Sequence, residues 1–188
     1  AIAGLEKATV SNTICSPEIS KSIPAPSIDP PIMSITISVN DSPLSGKEGD
    51  KVTSRNIRDR LLREAEGNIA ITVSETNNKD AFDVSGRGEL QLSILVETMR
   101  REGFELSISQ PKILFKLDEN NNELEPIEEV LIDVDSEYSG SIVEKLSKRG
   151  GELKEMFETN EGKQRLKFLA PSRSLIGYHG EFLTDTKG

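Results

Sequence analysis

Alternating apolar and polar residues predict four β-strands in the first half of the chain. The clearest case runs from Met33 to Val39, where every second residue is apolar, as in a strand with one buried face. Shorter alternations of the same kind follow at residues 69–73, 82–84 and 104–108.

Two stretches with helical spacing of apolar residues separate these strands. The first begins at an N-cap, Thr53 or Ser54, and ends at Gly67. The second runs from Glu89 to Glu102, and its apolar residues are Leu90, Ile94, Leu95 and Met99. The resulting order, βαββαβ, is the split βαβ or ferredoxin-like motif.

The second half of the chain repeats this order with one strand fewer. Alternation at residues 130–134 predicts a strand, and residues 139–148 have helical spacing. Two more strands are predicted around residues 153–157 and 166–170, and a last amphipathic helix opens after Pro171. We therefore predict an α+β chain with ferredoxin-like domains at residues 30–110 and 111–188, the second lacking its last strand.

The first 30 residues differ in character from the rest. They carry short β-prone pieces at Ala8–Val10 and Asn12–Cys15, followed by a proline-dense stretch. Because proline cannot donate to a ladder, this stretch is interpreted as a stiff linker behind the tail of a preceding β domain. Together with the missing strand, it favours a sequence that is part of a longer protein.

Composition excludes several kinds of site. A single cysteine, Cys15, excludes an internal disulfide and a cysteine-based metal cage, and a single histidine, His179, excludes multi-histidine metal sites. Cys15 is interpreted as a small buried hydrophobe and His179 as a helix-surface or contact residue. The apolar runs are far shorter than the ~20 residues that a membrane-spanning helix needs. We expect no metal site and no membrane partner.

The net charge of −9 has a local origin. Nine acids and no base lie between Leu117 and Glu137, and the remaining residues carry 23 bases and 23 acids. This acidic stretch lacks the regular calcium-loop spacing and is interpreted as a solvated loop and strand face. Positive charge is therefore able to gather elsewhere in spite of the acidic total.

Two segments resemble nucleotide motifs only superficially. Ser45–Gly49 lacks the upstream glycine of a phosphate-binding loop, and Lys47 is followed by Glu48 in place of a hydroxyl residue. Asn78-Lys79-Asp80 lacks the final aspartate of a guanine-reading motif. We predict no catalytic residue and no bound cofactor in this chain.

Basic residues gather in a few places. Residues 47–63 hold six bases and three acids, which either face a polyanion or form an ordinary solvated helix face. In Gly86-Arg87-Gly88-Glu89, the choice is between a backbone nest in which Arg87 meets a phosphate and a tight strand-to-helix turn. A second, weaker basic region includes Lys148 and Arg149.

The chain resembles the TypA/BipA family of ribosome-associated GTPases at several motifs. Residues 42–49 with residues 53–61, residues 81–90 and residues 99–105 are similar to the third domain of that family. Residues 171–178 resemble its elongation-factor-G-like fifth domain, and residues 1–25 the end of its β-barrel second domain.

This resemblance implies a cytoplasmic, ribosome-binding protein that acts in ribosome assembly and in stress or cold adaptation. It implies GTP and Mg²⁺ elsewhere in such a protein, contacts with rRNA and ribosomal proteins, no DNA partner and no oligomer. The implied RNA-binding residues are Lys47, Lys51, Arg55, Arg58, Arg87, Lys148, Arg149 and Arg173. Gly86 and Gly88 are expected to shape the turn before the second helix.

Two other functions remain open at this stage. Paired ferredoxin-like domains are also typical of ligand-sensing regulatory proteins, which would hold a metabolite in an apolar interdomain pocket. A stand-alone acyl- or phosphoryl-transfer enzyme is the third hypothesis, and it lacks an evident activated nucleophile.

Overall fold

The chain forms two compact units that meet in sequence between Lys112 and Ile113. The computed structural model describes residue 4, residues 12–24 and residues 29–188. We call the two parts the N-terminal unit, up to Lys112, and the C-terminal unit, from Ile113 onward. Both are mixed α+β structures with antiparallel sheets. The predicted fold class is confirmed.

The N-terminal unit has the predicted βαββαβ order. The elements are β1 (Met33–Val39), α1 (Ser54–Gly67), β2 (Thr72–Glu75), β3 (Ala81–Gly86), α2 (Glu89–Arg101) and β4 (Leu106–Ile108). These strands lie in the order β2-β3-β1-β4, and neighbouring strands are antiparallel.

The core of the N-terminal unit lies between the sheet and its two helices. Ile37 and Val84 from the central strands are fully buried, as are Ile57 and Leu61 from α1. Helix α1 starts where predicted, because the Thr53 hydroxyl accepts a hydrogen bond from the Asn56 N–H at 3.3 Å. Local capping and one apolar stripe thus fix the helix that carries four of the six bases of residues 47–63.

Helix α2 buries two of the four apolar residues from which it was predicted, Leu95 and Met99, and exposes the other two. Leu92, Leu95 and Met99 are buried, whereas Leu90 and Ile94 are exposed. The two sets are both spaced at three to four residues, so helical spacing alone does not decide between them. The prediction for Leu90 and Ile94 was wrong.

The C-terminal unit follows the predicted βαββα order after a short hairpin that was not predicted. A short strand, β5 (Lys112–Ile113), lies where the two units meet in sequence. The elements that follow are β6 (Lys116–Leu117), β7 (Glu123–Leu124), β8 (Ile127–Val134), α3 (Ser136–Lys148), β9 (Glu152–Glu158), β10 (Gln164–Pro171), α4 (Ser172–Leu175) and α5 (Tyr178–Asp185). The three-stranded sheet runs β8-β10-β9, and the core of this unit includes Ile142, Leu166 and Phe168, all fully buried.

One edge of this second sheet is open. Among the residues that the structure describes, β8 pairs only with β10, whereas its counterpart β1 has strands on both sides. The last strand is therefore missing from the second sheet, as predicted.

The last predicted helix is broken in two. Gly177 lies between α4 and α5 with a φ of +70°, a left-handed conformation that glycine adopts without steric cost. The break lets Leu175 and Phe182, on either side of it, both pack on the core of this unit.

The segment before β1 departs from its prediction where it is described. Residues 12–24 contain no strand, so the strand predicted at Asn12–Cys15 is wrong. Cys15 is exposed instead of buried. The β-prone piece at Ala8–Val10 lies outside the described residues, and so does much of the 1–25 segment that resembles a β-barrel.

Candidate nucleic-acid interface

The loop before α1 is built around the carboxylate of Glu105. The backbone N–H groups of Gly46, Glu48 and Gly49 donate to it at 2.7, 2.6 and 2.9 Å, and the Asn40 side chain donates at 3.1 Å. These donors, the Gly46 and Glu48 N–H groups first, lower the pKa of Glu105 to about 2. A buried acid from beyond α2 therefore fixes the loop that carries Lys47.

This arrangement does not fit the phosphates of GTP. The N–H groups that a phosphate-binding loop would offer are already bound to the Glu105 carboxylate. A Cβ added at Gly49 would lie 2.4 Å from the Gly103 carbonyl oxygen, so the last glycine of the loop serves close packing. The glycines of residues 45–49 therefore serve the structure of this loop: Gly46 and Gly49 donate to Glu105, and Gly49 packs against Gly103.

Lys47 and Lys51 lie at the two ends of this loop segment and differ in their surroundings. Lys47 is exposed and has no ion pair or hydrogen bond among the described residues. The Lys51 ammonium donates to the Glu102 carbonyl oxygen at 2.6 Å and lies 4.9 Å from the Phe104 ring centre. Lys51 is therefore held in place and keeps donors to spare.

Arg60 is at the centre of an ion-pair network. From the sequence, Arg60 was only one of the six bases of residues 47–63. Its Nε and one Nη donate to the Glu102 carboxylate at 2.7 and 3.0 Å, and the other Nη donates to Glu64 at 3.0 Å. This bidentate pair raises the pKa of Arg60 and lowers that of Glu102. The pair of Arg60 and Glu64 was predictable from the sequence, because residues four positions apart are neighbours on a helix. The pair of Arg60 and Glu102 was not predictable, because 42 residues separate them.

The remaining bases of α1 are more loosely held. Arg55 is 90% exposed, and its Nε lies 3.9 Å from Asp59. Arg58 pairs with Glu75 at 2.8 Å. The Nε of Arg63 donates to the Asp59 carbonyl oxygen at 3.3 Å. Lys51, Arg60 and Arg63 are brought together around one cleft, and Arg55 and Arg58 are not part of it.

The Gly86–Glu89 segment is a strand-to-helix turn. The Arg87 N–H donates to the Gln91 side-chain oxygen at 2.8 Å, and the Arg87 guanidinium donates to Asp29 at 2.5 Å. Gly86 is buried, and an added Cβ would lie 3.0 Å from side-chain atoms of Gln91 and Leu92. Gly88 caps α2 in an extended conformation with open space around it. Only the first of the two glycines is therefore required by packing.

The predicted site residues of the C-terminal unit all have acidic partners. Lys148 pairs with Glu144 at 2.5 Å, and Arg173 pairs with Glu125 at 2.6 Å. Arg149 donates to the carbonyl oxygens of Ser174 and Ile176, pairs with Glu181 at 2.7 Å and stacks over Tyr178. Arg149 thereby holds α4 and the following break against the end of α3.

The acidic stretch and the lone histidine offer no metal site. Most of the nine acids between Leu117 and Glu137 are exposed, and Asp118 closes the unpredicted hairpin by accepting three hydrogen bonds. Within residues 12–24 and 29–188, no group of three or more acidic, histidine or cysteine side chains could hold a metal ion. His179 is exposed on α5. No helix in the described part of the chain is long and apolar enough to span a membrane.

The chain is similar to known proteins at two levels: part of it matches a protein family, and all of it is similar to individual bacterial proteins. Residues 122–188 match the family described as elongation factor G C-terminus, and this match covers most of the C-terminal unit. The whole chain is also similar to three bacterial proteins that share one name, large ribosomal subunit assembly factor BipA. Identity is 48% for Salmonella typhimurium, 47% for Escherichia coli K12 and 45% for Haemophilus influenzae, over all 188 residues in each case.

These matches confirm the resemblance to the TypA/BipA family along the entire chain. The chain spans about 31% of the length of the Salmonella and Escherichia relatives and 30% of the Haemophilus one.

Proposed function

We propose that this chain is a ribosome-docking part of a BipA-type assembly factor and contacts rRNA through its N-terminal unit. The observation that supports this most is the identity of 45–48%, over all of its residues, to proteins named as large ribosomal subunit assembly factors. The proposal covers binding only. The role in stress or cold adaptation that the resemblance implies stays a prediction.

The geometry favours the N-terminal unit as the contact surface. Lys47 is unpaired among the described residues, Arg55 is almost fully exposed, and Lys51 has no carboxylate partner. In the C-terminal unit, Lys148 and Arg173 each pair with an acid that would stay beside an approaching phosphate and repel it. Residues 113–188 also carry ten bases and sixteen acids, against thirteen and sixteen for residues 1–112.

In this proposal, the chain contributes no hydrolytic chemistry of its own. The loop that most resembles a phosphate-binding loop is filled by Glu105. GTP and Mg²⁺, which the family resemblance implies, are therefore proposed to bind to residues outside this sequence. What the chain supplies is a folded surface that presents cations to RNA.

Co-sedimentation of the 188-residue chain with isolated large ribosomal subunits tests this proposal. Each phosphate contact lowers the slope of log affinity against log salt by about 0.7 to 0.9, so three to five contacts predict a slope of roughly −2 to −4. Lys79 is an exposed base in the β2–β3 turn, outside the proposed contact surface. A Lys79→Gln variant should therefore bind like the parent chain. Absence of binding at about 50 mM salt, or a flat salt response, would contradict the proposal.

A further inference from the structure

A polar cleft opens between the start of α1 and the end of α2. It has a volume of about 370 Å³ and is lined by Lys51, Asn56, Asp59, Arg60, Arg63 and Glu102, with Phe104 at its side. That volume lies at the lower end of the ~300–1,000 Å³ range of ligand sites in proteins. We propose that this cleft binds one backbone phosphate of RNA, an inference that rests on the function proposed above.

The charges inside the cleft do not cancel. Arg60 and Glu102 form a closed bidentate pair, and the third donor group of Arg60 is taken by Glu64. That leaves Lys51 and Arg63 as cations, with only Asp59 opposing them among the residues that line the cleft. The residues that line the cleft therefore carry a net charge of +1, which favours an anion, and Glu64 behind Arg60 offsets part of it.

The donors needed for a phosphate are available. Lys51 uses one donation on the Glu102 carbonyl oxygen, which leaves two of the three that an ammonium has. Arg63 uses only its Nε, on the Asp59 carbonyl oxygen, so its two Nη groups have no partner among the described residues. The Asn56 side-chain amide is likewise unpaired within the described part of the chain and lines the same cleft.

The structure also holds these donors in position. Phe104 packs against the Lys51 ammonium, and a parallel backbone bridge joins Lys51 to Phe104. Arg60 is only 14% exposed and ties α1 to the end of α2, the two walls of the cleft. Lys51 therefore loses little side-chain freedom when an anion enters, which favours binding. Arg60 is a positioning residue here, and Lys51 and Arg63 are the ligands.

An RNA phosphate fits this cleft better than an acidic protein side chain. Lys47 on the adjoining loop and Arg55 on the first turn of α1 add exposed cations on either side along the chain. A row of cations suits the regular charge of a nucleic-acid backbone, whereas a single carboxylate would engage one of them. The buried Phe104 is unavailable for stacking, so the cleft is expected to recognise the backbone and not the base.

Salt-dependent binding of the full chain to large ribosomal subunits gives the first test. The variant is Lys51→Gln with Arg63→Gln, and the control of equal charge change is Lys79→Gln with Lys112→Gln, two exposed bases outside the cleft. The cleft variant should bind about tenfold more weakly near 0.1 M salt, with its salt slope reduced by about 1. Arg63→Lys should restore most of the affinity, because it keeps the charge. If the cleft variant and the control lose affinity equally, the phosphate site in the cleft is overturned, but the proposal that the chain binds ribosomes still stands.

NMR titration of the labelled chain with a short uridine oligonucleotide gives a second test that does not need a ribosome. The side-chain signals of Lys51 and Arg63 should shift with the oligonucleotide and not with its uncharged methylphosphonate analogue. Absence of these shifts, or equal shifts with the analogue, overturns the phosphate site. Shifts with a glutamate peptide but not with RNA overturn it in favour of an acidic protein partner. Failure of the parent chain to bind ribosomes, with these NMR shifts present, contradicts the docking function and supports the cleft.

Discussion

In each unit one charged side chain binds the backbone of a loop, but the charge is negative in the N-terminal unit and positive in the C-terminal unit. In the N-terminal unit, the Glu105 carboxylate gathers the N–H groups of the loop before α1. In the C-terminal unit, the Arg149 guanidinium binds the carbonyl oxygens of Ser174 in α4 and of Ile176 directly after it. Each charge satisfies backbone groups that would otherwise lack a partner at a chain reversal.

The predicted RNA-binding bases of the two units differ in their pairing: all three in the C-terminal unit pair with acids, whereas Lys47 and Lys51 have no ion pair among the described residues. Because an acid fixes the first loop, Lys47 stays free to face outward. In the second unit, Arg149 serves the fold, and Lys148 and Arg173 are matched by acids. A count of bases along the sequence misses this, because it treats structural and available cations alike.

The largest expected effect comes from the buried centre of each sheet. Phe168→Ala should lower the free energy of unfolding of the C-terminal unit by about 3–5 kcal/mol, and Ile37→Ala that of the N-terminal unit by about 2–5 kcal/mol. Both side chains are fully buried. Amide hydrogen exchange in denaturant should show the loss of protection confined to the mutated unit. Equal loss of protection in both units would mean that the two units do not unfold independently.

Removal of Arg149 should come next in size. Arg149→Ala leaves two carbonyl oxygens and Glu181 without their donor, and should destabilise the C-terminal unit by about 1.5–3 kcal/mol in thermal unfolding. Lys148→Ala, at an exposed neighbouring base, should change stability by no more than about 0.5 kcal/mol. If the two variants are equally stable, Arg149 is a surface cation, and the contrast between the units fails.

The smallest effect concerns acid and the loop of the N-terminal unit. The pKa of Glu105 is about 2 in the folded chain, below its ordinary value of 4.5, so its stabilisation is complete above pH 4.5. It should be lost as the pH falls from 4.5 through about 2, because protonation removes the charge that holds the loop N–H groups.

Carbon NMR of the Glu105 carboxyl, followed during an acid titration, measures this directly. The Gly46 and Glu48 amide signals should move on the same curve, and Glu105→Gln should abolish that movement. A Glu105 midpoint near 4.5 would show that the loop does not depend on this carboxylate. The C-terminal unit has no buried carboxylate within its described residues and should show no counterpart.

Local patterns predicted the elements of both units, because strand alternation, helix spacing and caps are encoded within a few residues. The N-cap at Thr53 and the strand from Met33 to Val39 are examples. The break at Gly177 was missed because the apolar spacing continues across it. The hairpin at β6 and β7 was missed because its strands have only two residues each.

The site was predictable only as a set of basic residues. Lys51 and Arg63 share a cleft because Glu102, about forty residues away, draws α1 and α2 together through Arg60. Glu105 stands in a motif that resembles the TypA/BipA family, yet its role in the loop depends on a contact 59 residues away. Such long-range partners leave no periodic signal in a single sequence. Pairing with acids, which distinguishes Arg149 from Lys47, is equally invisible there.

The most direct test of this account compares ribosome binding after equal charge changes in the two units. Lys47→Gln with Arg63→Gln in the N-terminal unit is set against Lys148→Gln with Arg173→Gln in the C-terminal unit. Binding to large ribosomal subunits is then measured across a salt series. The account predicts a slope reduced by about 1 to 2 for the first pair, because Lys51 stays on the cleft phosphate, and an unchanged slope for the second. The reverse outcome, with the slope lost only in the C-terminal variant, would contradict it.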